Sequence, residues 1–278
     1  MSVKVVTDST ADLPPELARR FGIEVVPLYV HFGEETRQDG VDIGPDEFYR
    51  KLTQSQRLPT TSAPSPGAFQ DVYSRLLKEG EGVISIHISS KLSATHNSAL
   101  LARDQVKGKV EVIDSLTCTM ALGLLALAAG RMAKDGMGLQ ELAREVTALV
   151  PRAYVFGLLD TLEYLVKGGR IGKATALLGS LLNLKPLLVV KAGEAHDLAK
   201  VRTRARAIER LCQIAESFRS IKGMAVLDTT SPQEAQSLAR RLAAHYEGEI
   251  HMARFGPVMG TYVGPRALGI AVLGEGTF

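Results

Sequence analysis

The chain has 278 residues, enough to bury a sizeable core and above the usual size of one domain. Hydrophobic residues make up 45% and charged residues 23%, which excludes a disordered chain. The net charge is only +3, and with no Trp and 5% aromatic residues the chain has neither the basic excess nor the stacking platform of a nucleic-acid binder.

Residues 3–7 are a short apolar strand. Asp12 reads as the N-cap of a helix that opens on two prolines and ends at Gly22. Residues 23–32 are strand-like, with Pro27 placing part of the run at an edge or bulge. A short helix over 46–52 follows, then a stiff polar loop, Pro59-Thr60-Thr61-Ser62-Ala63-Pro64-Ser65-Pro66, in which proline restricts itself and its predecessor. A helix spans 68–78. Residues 83–88 form a buried strand, Ser89 to Ser93 a hydroxyl-rich turn, and 94–105 a helix with Ser93 as N-cap. In an open α/β sheet, the carboxyl end of a strand beside the start of a helix is where ligands sit. The cluster of Ser89, Ser90, Ser93 and Thr95 exceeds what one cap needs. Backbone amides and hydroxyls there could hold an anionic head group.

A strand over 110–113 precedes a long apolar helix over 117–134, apolar on nearly every side as for a helix packed all round. A helix over 139–149 completes an alternation of strands and helices that reads as a mostly parallel sheet covered on its faces. Near Pro151 the pattern shifts. Strands are expected over 153–158, 186–190, 196–201, 223–228, 249–254 and 267–273, the second and third as a hairpin around Gly193-Glu194. Helices are expected over 161–167, 203–219 and 231–246, the last capped by Ser231. Residues 255–264 read as a Gly-rich terminal segment carrying Tyr262. The basic run Lys200, Arg202, Arg204, Arg206 and Arg210 reads as a solvated helix face.

Cys118 and Cys212, far apart in apolar stretches, read as small buried side chains in a reducing compartment. The start of the chain shows no signal-peptide pattern, and the apolar run 121–129 is too short to span a bilayer, so the expected location is cytoplasmic. The stretch from Gly168 to Ala174 fails as a phosphate loop, because its glycines are too close and Ala174 stands where a hydroxyl should hold magnesium. No dinucleotide fingerprint, nucleophile elbow or zinc spacing is present. His87 and His96 flank the Ser loop, but His87 lies within the strand and reads as a core histidine.

Five motifs in order span nearly the whole chain: VVTDSTADLP, PTTSAPSPGAF, ISSKLSATHNSA, TLEYLVKGGRIGKATALLGSLLNLKPLL and GPVMGTYVGPRALG. Together they resemble the DegV family of bacterial fatty-acid-binding proteins, better-studied members of which are the binding subunit of fatty acid kinase. The resemblance implies an α/β protein: an N-terminal three-layer α/β/α domain with a mostly parallel sheet over residues 1–150, and a C-terminal α/β domain with a mixed sheet over 151–278, with the chain free to cross between them. It implies a long-chain fatty acid such as palmitate in a buried tunnel, no cofactor, and no catalytic residue or metal in this chain. Thr61 and Ser93 would contact the carboxylate, with Ser62, Ala94 and Tyr262 beside them. Arg170 would serve partner docking or the head-group region. Leu178, Leu181 and Leu182 would line the acyl chain. The partner would be the fatty acid kinase catalytic subunit, and a transient membrane-surface contact is compatible with that role. The chain departs from the family pattern at Tyr262, where His is common, at Arg266, in place of Gly, and at Ala94-Thr95-His96 after the Ser loop. The alternative expectations are a hydroxyl-dependent hydrolase or transferase acting on a small anion, and a lipid-responsive regulator that uses the Arg-rich segment near Arg202.

Overall fold

The computed structural model describes residues 2–177 and 184–276. β1 (Lys4–Asp8) runs through a 3-10 turn into α1 (Pro15–Phe21) and β2 (Ile23–Val26). β3 (Tyr29–Phe32), β4 (Glu35–Gln38), α2 (Pro45–Gln54) and β5 (Thr60–Ser62) follow. α3 (Pro66–Leu76), β6 (Val83–His87), α4 (Thr95–Arg103), β7 (Val110–Asp114), α5 (Thr119–Lys134) and α6 (Leu139–Leu149) complete the first half. The second half holds β8 (Ala153–Leu158), α7 (Glu163–Lys167), β9 (Lys185–Lys191), β10 (Glu194–Val201) and α8 (Arg204–Glu216). It ends with β11 (Ser220–Asp228), α9 (Pro232–Leu242), β12 (Ile250–Arg254), α10 (Pro257–Val263) and β13 (Leu268–Glu275).

β2, β1, β6 and β7 form a parallel sheet in that order, with helical crossovers supplying the return connections that parallel pairing demands. The mixed sheet runs β10-β9-β8-β13-β11-β12, antiparallel throughout except for the β11–β12 pair. The fold is thus a parallel-sheet N-terminal domain and a mixed-sheet C-terminal domain. α5 packs on β1 and β6 of one sheet and on β8, β11 and β13 of the other. That position explains its all-round apolar sequence: a helix between two sheets has no solvent face. Gly123 and Gly130 let it approach closely, since a Cβ at Gly123 would lie 2.9 Å from the Ala11 carbonyl oxygen and one at Gly130 3.1 Å from that of Phe21.

Several local expectations are corrected. Asp12 is not an N-cap; it ends the 3-10 turn at φ 50° and turns its carboxylate inward, and Pro14 precedes α1. The run 23–32 is two strands in different sheets, β2 and β3, because Pro27 lacks the N–H to continue a ladder. β3 pairs with β4 and β5 in a small antiparallel sheet, so the hydroxyls of the polar loop sit on a strand. Ser93 does not cap α4: the cap position is Ala94, and the Ser93 Oγ accepts from the Thr95 amide two residues on, the local bond that draws serine out of helices. Ser231 precedes α9 without a side-chain cap bond, its own amide donating instead to Asp228 at 2.9 Å. In the basic run, Arg204 is no free surface charge: it forms a two-pronged ion pair with Glu234 that ties α8 to α9. Residues 257–263, read as part of a Gly-rich segment, are helix α10. Gly256 and Gly264 flank the helix as its caps, and Gly260 lies within it. A Cβ at Gly260 would lie 2.6 Å from the Tyr49 hydroxyl, and one at Gly264 2.3 Å from the Tyr164 ring. Gly260 makes room within the helix, and Gly264, at φ 69°, ends it.

Candidate functional site

The carboxyl ends of β1 and β6 open on a cavity of about 190 Å³, the position a parallel sheet reserves for ligands. β8 and β9 of the mixed sheet form its far wall. Val155, Gly157 and Leu159 alternate along one face, and Leu188 and Val190 do the same on the neighbouring strand. Ile88, Cys118, Phe255 and Met259 add to an apolar interior, and burial pushes the Cys118 thiol upward.

Thr10 and Thr119 border this lining, and a further polar group is built around Thr61 and Tyr262. Thr61, held on β5 by pairing with Val30, places its Oγ1 2.5 Å from the Tyr262 hydroxyl at the end of α10. The Tyr262 ring fits because residue 168 is glycine, where a Cβ would lie 2.5 Å from it. Arg170 lies over the same ring, 5.3 Å from its centre. Its guanidinium donates to the carbonyls of Leu92 at 3.1 Å and Gly168 at 2.9 Å, which ties the Ser loop to the Gly-Gly-Arg turn. Ser93, Ser62 and Ala94 also line the cavity. The Ser93 Oγ lies 2.8 Å from the Thr95 hydroxyl, and the Ser62 Oγ 2.9 Å from His31 Nε2. Leu178, Leu181 and Leu182 lie outside the described residues.

His87 is a core residue, as its place in the strand implies. Tyr73 donates to the Ser85 Oγ at 2.8 Å, so the Ser85 hydroxyl is free to donate to His87 Nε2 at 2.6 Å. That leaves Nδ1 to carry the proton and donate to Asp8 Oδ2 at 2.9 Å. The sequence of acid, imidazole and hydroxyl looks like a nucleophile relay, but Ser85, His87 and Asp8 are each 0% exposed, and Ser85 does not line the cavity. Asp8 also accepts from the Thr10 amide and hydroxyl and the Ile88 amide. The network fastens the ends of β1 and β6 together.

Sequence reasoning missed two buried acids. Asp12 Oδ2 accepts from the Thr119 hydroxyl at 2.5 Å, and Oδ1 from the Gly256 amide at 2.8 Å. The Asp39 side chain lies against Gly256, and its Oδ2 is buried without a partner. Desolvation raises Asp12 well above the usual carboxylate range and Asp39 to about 7, against the hydrogen bonds that favour their charged forms. The signal was position: Asp39 directly follows the end of β4, and Asp12 follows the turn after β1. Among the described residues, no cluster of three or more acid, His or Cys side chains could hold a metal ion, and no helix is long and apolar enough to cross a membrane.

Two sheets sharing one buried helix, with an apolar pocket rimmed by hydroxyls at their junction, define a two-domain α/β protein with an interior pocket between its sheets. The DegV family model, described as "Uncharacterised protein, DegV family", matches residues 2–275. The chain belongs to that family. A DegV domain-containing protein of Streptomyces coelicolor is 40% identical over 277 residues, 97% of this chain and 98% of the relative. The structure reported as fatty acid binding of a DegV family protein from Thermus thermophilus superposes with a TM-score of 0.93 at 35% identity, covering 99% of this chain and 100% of that one. DegV from Bacillus subtilis, described as a fatty acid binding protein, gives a TM-score of 0.89 at 33% identity, with 99% and 100% covered.

Proposed function

We propose that this protein binds a long-chain fatty acid such as palmitate, with the acyl chain among the apolar walls and the carboxylate at the hydroxyl-lined end. The observation that carries the reading is the convergence of Thr61, Ser93 and Tyr262, from three separate segments, on one largely apolar cavity. Each buried methylene contributes about 0.8 kcal/mol, so a long chain supplies on the order of 10 kcal/mol before association costs. The carboxylate is the costly end, because a buried charge without donors is strongly unfavourable. Hydroxyls of Thr61, Ser93 and Tyr262 are the donors, and Ser62 and the Ala94 segment complete the rim. The fatty-acid-binding relatives from Thermus thermophilus and Bacillus subtilis support the same ligand class.

In this reading the protein is a carrier. It presents the carboxylate to a kinase catalytic subunit, which supplies the phosphoryl chemistry and forms the acyl phosphate. Arg170 would contact that partner, a role supported by its exposure beside the hydroxyls and its bond to the Ser loop. Titrating delipidated protein with palmitate by calorimetry tests the binding step. Saturable binding at one site supports it, and no heat beyond dilution contradicts it.

A further inference from the structure

A second hollow, of about 810 Å³, opens between the N-terminal segment up to Pro45 and the C-terminal elements from Asp228 to Pro257. Ser9, Gly256 and Pro257 line it, while their chain neighbours Thr10, Phe255 and Val258 line the first cavity, so the two stand back to back. Two carboxylates converge in this cleft. A Cβ on Gly256 would have as its three nearest atoms Asp12 Oδ1 at 3.0 Å, Asp39 Oδ1 at 3.2 Å and Asp39 Oδ2 at 3.6 Å. Both Asp12 oxygens are taken, by the Thr119 hydroxyl and the Gly256 amide. Asp39 differs: it is 4% exposed, and its Oδ2 has no hydrogen-bond partner. A buried acceptor left bare is costly, and a donor entering from the cleft would relieve it.

The charge around this point is one-sided. Asp8 acts on both acids as a third like charge, and Asp228 also lines the cleft. Of the two basic side chains on the lining, Arg254 is committed to Asp46 and the Thr229 carbonyl. The other, Arg19, stands one turn from Glu16 on α1, which balances it. The rest of the wall is apolar and stiff. Pro14, Pro27, Pro45 and Pro257 fix their own backbone angles, so the shape exists before anything binds. Val41 and Met252, 67% and 42% exposed, present large apolar side chains on opposite sides of it. An apolar hollow with a few convergent polar groups is the usual form of a small-molecule site.

We infer that this cleft is a second binding site, for a small organic cation: an ammonium group held by the Asp39 carboxylate beside Asp12, with an apolar body against Leu13, Val41 and Met252. The inference is independent of the fatty-acid reading. An anion would meet the acids head on. A metal ion fits less well, since among the described residues no cluster of three or more acid, His or Cys side chains could hold one.

Phenethylamine, a primary amine on an apolar body, tests this when titrated at pH 8 into protein equilibrated with palmitate, with binding followed by backbone amide shifts. Saturable shifts should centre on residues 39–41 and 252–256. Phenylacetate, an anion on the same ring, should give none. Asp39→Asn should weaken the amine about tenfold or more, the worth of one hydrogen bond to a charged group. Val41→Lys, at an exposed position, sets a competing ammonium at the cleft and should weaken it as well; it carries the test if Asp39→Asn does not fold. Absence of saturable shifts, equal binding of phenylacetate, or an affinity unchanged in folded Asp39→Asn overturns the inference. Shifts confined to residues 61 and 93 would put the amine in the first cavity and overturn it too. The palmitate reading stands or falls separately, on its own calorimetric titration.

Discussion

The Thr61 hydroxyl lies 2.5 Å from that of Tyr262, 201 residues further along the chain. β5 of the small antiparallel sheet brings one, and α10 brings the other. Each group satisfies its neighbour, and both face the cavity, where either can turn to a carboxylate oxygen without a new buried donor being left unpaired.

Thr61, together with Ser93 on the same cavity, is therefore expected to carry head-group affinity. Thr61→Ala combined with Ser93→Ala should weaken palmitate binding by roughly tenfold or more, since hydrogen bonds to a charged group are worth about 1.5–3 kcal/mol each. Calorimetric titration of the double variant checks this. Unchanged affinity would remove both residues from the site.

Gly157 offers a way to block the chain without damaging the fold. A Cβ there meets only Leu159 Cδ2, at 4.0 Å, and the residue faces the cavity. Gly157→Leu should fill the space, abolish palmitate binding and leave the thermal midpoint level or higher, as replacing a strand glycine commonly does. A competition assay and a melting curve together distinguish occlusion from unfolding.

The Asp8–His87–Ser85–Tyr73 chain predicts a stability effect in place of a catalytic one. His87→Ala removes the donor to a buried carboxylate and the acceptor for Ser85, and should cost about 2–4 kcal/mol in denaturant unfolding. An ester-hydrolysis assay should show no activity that depends on Ser85. Turnover lost in Ser85→Ala would revive the hydrolase alternative.

Asp39 makes a prediction about pH and global stability. Its pKa is raised from 3.8 to about 7 by burial. Between those values the unfolded chain releases a proton that the folded chain keeps, so this group's contribution falls as pH rises from about 4 through about 7 and is level above. Asp39→Asn, which keeps the shape of the neutral acid, should gain stability relative to the parent across that window. Urea unfolding at successive pH values measures the difference. A difference that shrinks with rising pH would contradict the assignment.

The alternation of strands and helices in the first half was legible because each element carries its own period and punctuation, and the all-round apolar α5 announced its place between two layers. The buried role of Asp12 was not, since an acid before two prolines has the same local signature as a helix cap, and only the distant Gly256 amide tells them apart. Residues 257–263 hid as helix because glycine lowers helix propensity, while Gly260 sits so close to Tyr49 that no Cβ would fit. Ser93 stood out because a hydroxyl-rich turn follows a buried strand, and Thr61 because it sits in a proline-stiffened polar loop, while the roles of Tyr262 and Arg170 were implied by the family resemblance; the structure brings all four to one cavity. The walls on β8 and β9 were readable as strands, but alternation does not say which face meets a cavity and which a core.

The central claim is that an aliphatic acid occupies the space between the two sheets. Mass spectrometry of lipid extracted from the purified protein under denaturing conditions tests it most directly. The account predicts about one long-chain fatty acid per chain in the parent and none in Gly157→Leu. Parent protein that releases no fatty acid and takes up none from added palmitate would contradict it.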